Sequence, residues 1–247
     1  MTLQAFFQEH TKAALGLSGG VDSAYLLYAA KQCGADVRPY YIKTAFQPAF
    51  ELEDARSAAR HCGAALTVIP LDVLSPKAVA ENPPDRCYHC KRLLFSALKE
   101  QAVKDGYTLL LDGTNASDDV SDRPGMRALA ELAIRSPLRE CGLTKADIRR
   151  LAKEAGLPNW DKPAYACLAT RFPTGTAITP PLLAKVEGAE RALFALGYRD
   201  IRVRLMGQAA RLEVRGQDME QIVKDRNAVL AALKPYFVTV TLDLAGR

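Results

Sequence analysis

Between the apolar run Ala13-Ala14-Leu15-Gly16-Leu17 and the helix-compatible stretch Ala24-Tyr25-Leu26-Leu27-Tyr28-Ala29-Ala30, the chain reads Ser18-Gly19-Gly20-Val21-Asp22-Ser23. A strand that turns through two glycines and hydroxyl residues into a helix aims several backbone N–H groups, and the positive end of a helix dipole, at one point. That point suits a phosphate or pyrophosphate. The common nucleotide loop, Gly-x-x-x-x-Gly-Lys-Ser/Thr, places a lysine there; here the lysine is missing, and Ser and Asp hold the polar positions. The pattern reads as a loop for binding and releasing pyrophosphate, against the plainer alternative of a Gly-rich turn before a helix.

The surrounding pattern sets the fold. Apolar strand-like runs around residues 13–18, Val37–Lys43, Leu66–Leu71 and Tyr107–Asp112 alternate with helical patterns near 22–33, 50–61 and 89–104. Strands that are apolar throughout predict an open α/β fold, a parallel sheet with helices on both faces. Ligands of such sheets bind outside the carboxyl ends of the strands. The Ser18 loop and the Asp112-Gly113-Thr114-Asn115 turn both fall at that edge, which joins them in one site. Thr144 with Asp147 predicts a capped helix that ends at Gly156-Leu157-Pro158, and residues 158–181 read as a long irregular, functional loop. Beyond it the pattern is helix Leu182–Leu196, strands Ile201–Leu205 and Ala209–Val214, helix Met219–Leu233 and strand Phe237–Leu242. The expected division is a nucleotide-binding domain over 1–178 and a smaller α+β domain over 179–247. Arg202 and Arg204 share one face of their strand, and Arg211, Glu213 and Arg215 share a face of the next. Such a face either grips a phosphate or is an ordinary solvated surface.

Bulk properties narrow the partners. The 247 residues carry 33 Lys and Arg against 28 Asp and Glu, a net charge of +5. These charges are dispersed, which favours small anionic ligands over nucleic acid. No apolar run approaches the roughly 18 to 20 residues of a membrane span, and residues 1–10 lack a signal-peptide core, so the expected location is the cytoplasm. In a reducing compartment the six cysteines are metal ligands, catalytic thiols or packing residues rather than disulfides.

Cys87-Tyr88-His89-Cys90 opens a predicted helix beside Lys91 and Arg92, surroundings that favour thiolate. A third thiol, Cys167, lies in the long irregular loop. Three readings stand side by side: a zinc site with His89 as a fourth ligand, a redox Cys-x-x-Cys pair, and an iron–sulfur cluster on three cysteines with one iron open. Cys33, Cys62 and Cys141 each precede a glycine and read as packing residues at helix ends.

The Ser-Gly-Gly-x-Asp-Ser loop resembles the signature of the PP-loop ATP pyrophosphatases. Together with Asn82–Lys91, Asp112–Asn115, Asp122–Gly125, Ser136-Pro137-Leu138, Trp160–Pro163 and Cys167–Arg171, it makes nearly the whole chain resemble the LarE family. That resemblance implies an ATP-dependent sulfur transferase acting on pyridinium-3,5-biscarboxylic acid mononucleotide in synthesis of the nickel-pincer nucleotide, the cofactor of lactate racemase. It implies ATP and magnesium at Leu17, Ser18, Gly19, Gly20, Val21, Asp22, Ser23, Thr44, Gly113 and Thr114, with Ser18, Asp22 and Cys167 catalytic. It implies substrate contacts at Arg123, Arg171, Glu190, Arg202, Arg204 and Glu213. Because all three cysteines are present, it implies a [4Fe-4S] cluster on Cys87, Cys90 and Cys167 that receives sulfide or another sulfur donor, and a homo-oligomer. The competing expectations are a cluster-dependent tRNA thiolation enzyme and a non-catalytic nucleotide-binding protein with structural zinc.

Overall fold

The structure is a computed structural model that describes residues 1–119 and 124–247. In chain order its elements are α1 Leu3–Glu9, β1 Lys12–Gly16, α2 Val21–Gln32, β2 Asp36–Lys43, α3 Ala49–His61, β3 Thr67–Pro70, α4 Lys77–Ala80, α5 Arg86–Lys104 and β4 Leu110–Leu111. There follow α6 Pro124–Glu131, α7 Pro137–Glu140, α8 Lys145–Glu154, a 3-10 turn Leu168–Arg171, α9 Pro180–Ala195, β5 Ile201–Met206, β6 Ala209–Val214, α10 Met219–Lys224, α11 Arg226–Leu233 and β7 Val240–Leu242. They form two compact units, Met1–Val73 with Asp85–Ala164, and Leu74–Pro84 with Tyr165–Arg247.

The first unit is an open, all-parallel sheet in the order β3-β2-β1-β4. Ala13, Ala14 and Leu15 of the central strand are all fully buried, as a strand covered on both faces requires. Ala13 and Leu15 enter a core with Leu26 and Leu27 of α2, Ala58 and Ala59 of α3, and Ile148 and Ala152 of α8. Ala14 enters a second core with Leu98 and Ala102 of α5 and Leu110 of β4. Strand order reverses between β1 and β4, so the crevice of the sheet opens where the Ser18 loop and the Asp112 turn leave it. The expected strand over Tyr107–Asp112 shortens to two residues. Beside it, the Arg135 N–H donates to Leu110 O (2.9 Å) and the Arg135 carbonyl accepts from Asp112 N–H (3.0 Å), which brings Ser136 to Asp112. The predicted cap of α8 is present, with Thr144 and Asp147 bonding each other's backbone N–H. Cys33, Cys62 and Cys141 cap α2, α3 and α7 before glycines at positive φ, and all three pack on the first core.

In the second unit β5 and β6 pair antiparallel and β7 joins β6 in parallel. Residues 165–178, expected with the nucleotide-binding domain, group here with 74–84. Gly175 N–H donates to Asn82 O (2.8 Å) and Ile178 N–H to Ala80 O (2.7 Å), while the buried Asn82 amide donates to Pro173 O (2.8 Å). The single helix expected over Met219–Leu233 is two helices divided at Asp225. That carboxylate accepts from Tyr198 (2.7 Å) and Gln221 (3.0 Å), side-chain bonding of the kind that makes Asp a poor interior helix residue.

Candidate active site

The loop between β1 and α2 is held by its own hydroxyls. Ser18 N–H donates to Ser23 Oγ (3.2 Å), Gly20 N–H to Ser18 Oγ (3.3 Å), and the two serine oxygens lie 3.1 Å apart. Gly19 has φ +84°, and a Cβ there would sit 2.6 Å from the Glu51 carbonyl oxygen, so only glycine fits. A Cβ on Gly113 would lie 2.9 Å from Ser23 N; the turn after β4 therefore rests directly on the first turn of α2. Gly20 caps α2 without a side-chain hydrogen bond, which leaves the helix-start N–H groups directed at the crevice. Asn159, almost fully buried, donates to Gly19 O (2.7 Å) and fixes the loop from α8's far side.

Asp22, on the first turn of α2, accepts from Lys145 Nζ through Oδ2 at 2.5 Å. Its other oxygen, Oδ1, is buried with no partner, as are Asn159 Oδ1 and Arg149 Nε. Burial raises the Asp22 pKa, opposed by Lys145 and, more weakly, by Arg149. Asp112, at the end of β4, accepts from Thr114 Oγ1 and Ser136 Oγ, both at 2.6 Å. Thr44, at the end of β2, is buried and bonds Gln47 Oε1 through its N–H (2.9 Å) and its hydroxyl (2.6 Å). Leu17 and Val21 are core residues that anchor the two ends of the loop. The first unit thus gathers Leu17–Ser23, Thr44, Gly113 and Thr114 at the carboxyl edge of one sheet.

Cys87 and Cys90 lie on consecutive turns at the start of α5. The nearly buried Arg86 donates to Cys87 Sγ (3.3 Å) and lies over the Phe46 ring. Cys87 also lines a cavity of about 320 Å³ with Lys91, Thr114, Asp118, Pro124 and Met126, so this thiol opens into a space that shares Thr114 with the phosphate loop's neighbour. His89 Nε2 is 3.1 Å from Asp85 Oδ2. All six cysteines are thiols. Taking the described residues of either unit, no three His, Cys, Asp or Glu side chains gather closely enough to hold a metal ion.

The second unit builds a charged core. Glu190 of α9 is fully buried; it accepts from Arg171 Nε (2.7 Å) and Nη2 (3.0 Å), from Val203 N–H (2.9 Å) and from the Tyr165 hydroxyl. Arg171 and Arg202 both lie on the Tyr165 ring, 4.6 and 4.7 Å from its centre. Arg202 is buried rather than set on a solvated face, and burial, with Arg171 and Arg247 nearby, pulls its pKa down to about 10. Arg204 and Arg211 converge on Glu213, and Arg204 also donates to Thr170 O. Cys167, half-buried, caps the turn that carries Arg171; its carbonyl accepts from Thr170 N–H at 3.0 Å. The structure therefore brings together Cys167, Arg171, Glu190, Arg202, Arg204 and Glu213. Arg123 lies outside the described residues. Sequence reading missed Lys145, Arg149, Asn159 and Arg86. Only Arg86, beside the Cys-x-x-Cys, carried a local signal.

No family model matches the chain. It is 34% identical over 248 residues to the pyridinium-3,5-bisthiocarboxylic acid mononucleotide synthase of Lactiplantibacillus plantarum, covering 99% of this chain and 90% of that protein. An uncharacterised protein of Synechocystis is 37% identical over 251 residues, with 99% and 92% covered. The tRNA-specific 2-thiouridylase of Thermotoga petrophila is 25% identical over 188 residues, with 59% and 52% covered. The near-complete alignment to a named synthase, on an open parallel sheet with a Ser-Gly-Gly-x-Asp-Ser loop after its first strand, shows that this chain belongs to the LarE family, the pyridinium-3,5-bisthiocarboxylic acid mononucleotide synthases, within the PP-loop superfamily.

Proposed function

We propose that the protein is an ATP-dependent sulfur transferase that adenylates a carboxylate of pyridinium-3,5-biscarboxylic acid mononucleotide and converts it to a thiocarboxylate, in synthesis of the nickel-pincer nucleotide. The observation that carries this reading is Asp22, a carboxylate at the mouth of a phosphate loop with one buried oxygen lacking a partner. A magnesium–polyphosphate ligand satisfies that oxygen and the loop N–H groups together. The donor set fits magnesium, a hard cation that takes carboxylate oxygen, and Asp22 would hold it, where it neutralises charge on the phosphates. Leu17–Ser23 cradle the phosphates, and Thr44, Gly113 and Thr114 contact the rest of the nucleotide.

In the first half-reaction a substrate carboxylate oxygen bonds the α-phosphorus. The bond from that phosphorus to the bridging oxygen breaks, and pyrophosphate leaves with the electron pair. Ser18 and the neighbouring N–H groups hold the leaving phosphates, preorganised where negative charge accumulates. In the second, a sulfur nucleophile bonds the acyl carbon and AMP departs; adenylation has turned a poor acyl donor into one with a stable leaving group. Three soft thiols suit iron–sulfur ligation, so Cys87, Cys90 and Cys167 would hold a [4Fe-4S] cluster, which would supply sulfur for the second half-reaction. Arg86 orients the Cys87 sulfur. Arg171, Arg202 and Arg204, together with Arg123, bind the substrate phosphate, and Glu190 and Glu213 fix the guanidinium planes that do so.

The near-complete alignment to a mononucleotide synthase supports this substrate over tRNA, since the tRNA-specific relative aligns with only 59% of the chain. The test is Asp22→Ala, which removes substrate-dependent pyrophosphate release by about a hundredfold or more; release at the wild-type rate refutes the assignment of the loop.

A further inference from the structure

The phosphate loop lacks the lysine that Gly-x-x-x-x-Gly-Lys-Ser/Thr loops carry, yet a pyrophosphate leaving group needs cationic partners. α8 brings two. Lys145 opens that helix, its backbone N–H held by Ser117 Oγ at 2.9 Å, and its ammonium meets Asp22 at 2.5 Å. Arg149 follows one turn later on the same face. One Nη donates to Lys162 O at 3.0 Å, while Nε is buried with no acceptor. Ile148 and Ala152 seat α8 in the same core as Leu26 and Leu27 of α2, so both cations stand on a fixed scaffold.

Two of the orphaned atoms at the site are of opposite kind. Asp22 Oδ1 is a buried carboxylate oxygen without a hydrogen-bond partner of its own, Lys145 being engaged by Oδ2, and Arg149 Nε is a buried N–H without an acceptor. Each costs free energy while unsatisfied. A divalent metal bound to a polyphosphate supplies a cation for the first and anionic oxygens for the second.

Resting on the sulfur-transferase reading, we propose that Lys145 and Arg149 form the cationic wall of the pyrophosphate site. Lys145 occupies Asp22 when the nucleotide is absent and transfers to the β- and γ-phosphate oxygens when Asp22 takes the metal. Lys145 thus replaces, from a different helix, the lysine missing from the loop, and the same contacts hold pyrophosphate as the α-phosphorus bond to its bridging oxygen breaks. AMP lacks those phosphates and makes no use of either cation.

Calorimetric titration of the full chain with ATP, pyrophosphate and AMP, each with magnesium, separates these roles. Lys145→Met and Arg149→Met each weaken ATP and pyrophosphate by about tenfold or more and leave AMP within about twofold, and Lys145→Arg recovers most of the loss. Unchanged pyrophosphate affinity in both methionine variants overturns the proposal, as does an equal loss for AMP, which marks a structural role. Wild-type protein that binds neither ATP nor pyrophosphate overturns the sulfur-transferase reading with it; wild-type binding that the variants leave intact overturns only the cationic wall.

Discussion

Asp22 is held in a charged state that its surroundings disfavour. Burial raises its pKa despite the ion pair with Lys145, so the folded protein binds this proton more tightly than the unfolded chain does. A carboxyl with a raised folded pKa adds stability below its unfolded pKa, and that contribution is lost as pH rises through the folded value. At neutral pH the ionised group is therefore a net cost. We expect Asp22→Asn to abolish pyrophosphate release while leaving the thermal midpoint at pH 7 equal to or above wild type, with the difference shrinking below the ordinary carboxylate range. A midpoint clearly lower at pH 7 would show that the Lys145 pair outweighs burial. The loop around Asp22 was legible in the sequence because six consecutive residues carry it. Its partners were not: Lys145 lies 123 positions away and Asn159 is 140 positions from Gly19. No local pattern marks such residues, and Lys145 read only as the start of a capped helix.

At the scale of elements, α9, β5 and the turn before them are tied through one carboxylate. Glu190 reaches from α9 to Val203 N–H in β5 and to Arg171 in the turn. Glu190→Gln keeps the shape and removes the charge that balances two buried guanidinium groups. The expected loss is about 3–5 kcal/mol of unfolding free energy, the usual consequence of breaking a buried pair. Urea unfolding measures it; a loss under about 1 kcal/mol, the scale of an exposed pair, would contradict the buried network. The alternation Ile201-Arg202-Val203-Arg204-Leu205 predicted the strand and which residues share a face. It left open whether the arginine face was solvated, because the cover, Tyr165 and Arg171, comes from a stretch with no periodic signal. The break at Asp225 was hidden for a similar reason: the apolar period runs on through it, and the Tyr198 hydroxyl that engages Asp225 lies 27 positions earlier, between α9 and β5.

On the scale of the whole molecule, the parallel sheet was legible almost strand by strand, since both of its faces are buried and its strands stay apolar. The two units carry different parts of the proposed chemistry. Nucleotide contacts, Cys87 and Cys90 belong to the first; Cys167 and the arginine cluster belong to the second. Protein purified without air should contain iron and acid-labile sulfide with charge-transfer absorption in the visible, and replacing Cys87, Cys90 or Cys167 with Ala should remove all three signals. Stoichiometric zinc without sulfide would refute the cluster and leave the nucleotide chemistry standing. No described helix is long and apolar enough to cross a membrane. The central claim is that ATP primes a carboxylate for sulfur, and the most direct measurement is pyrophosphate release by anaerobic wild-type protein with ATP, magnesium and pyridinium-3,5-biscarboxylic acid mononucleotide. The account predicts pyrophosphate only when the acid is present, with AMP following in equal amount once sulfide is supplied; pyrophosphate release that ignores the acid, or none with it, would contradict it.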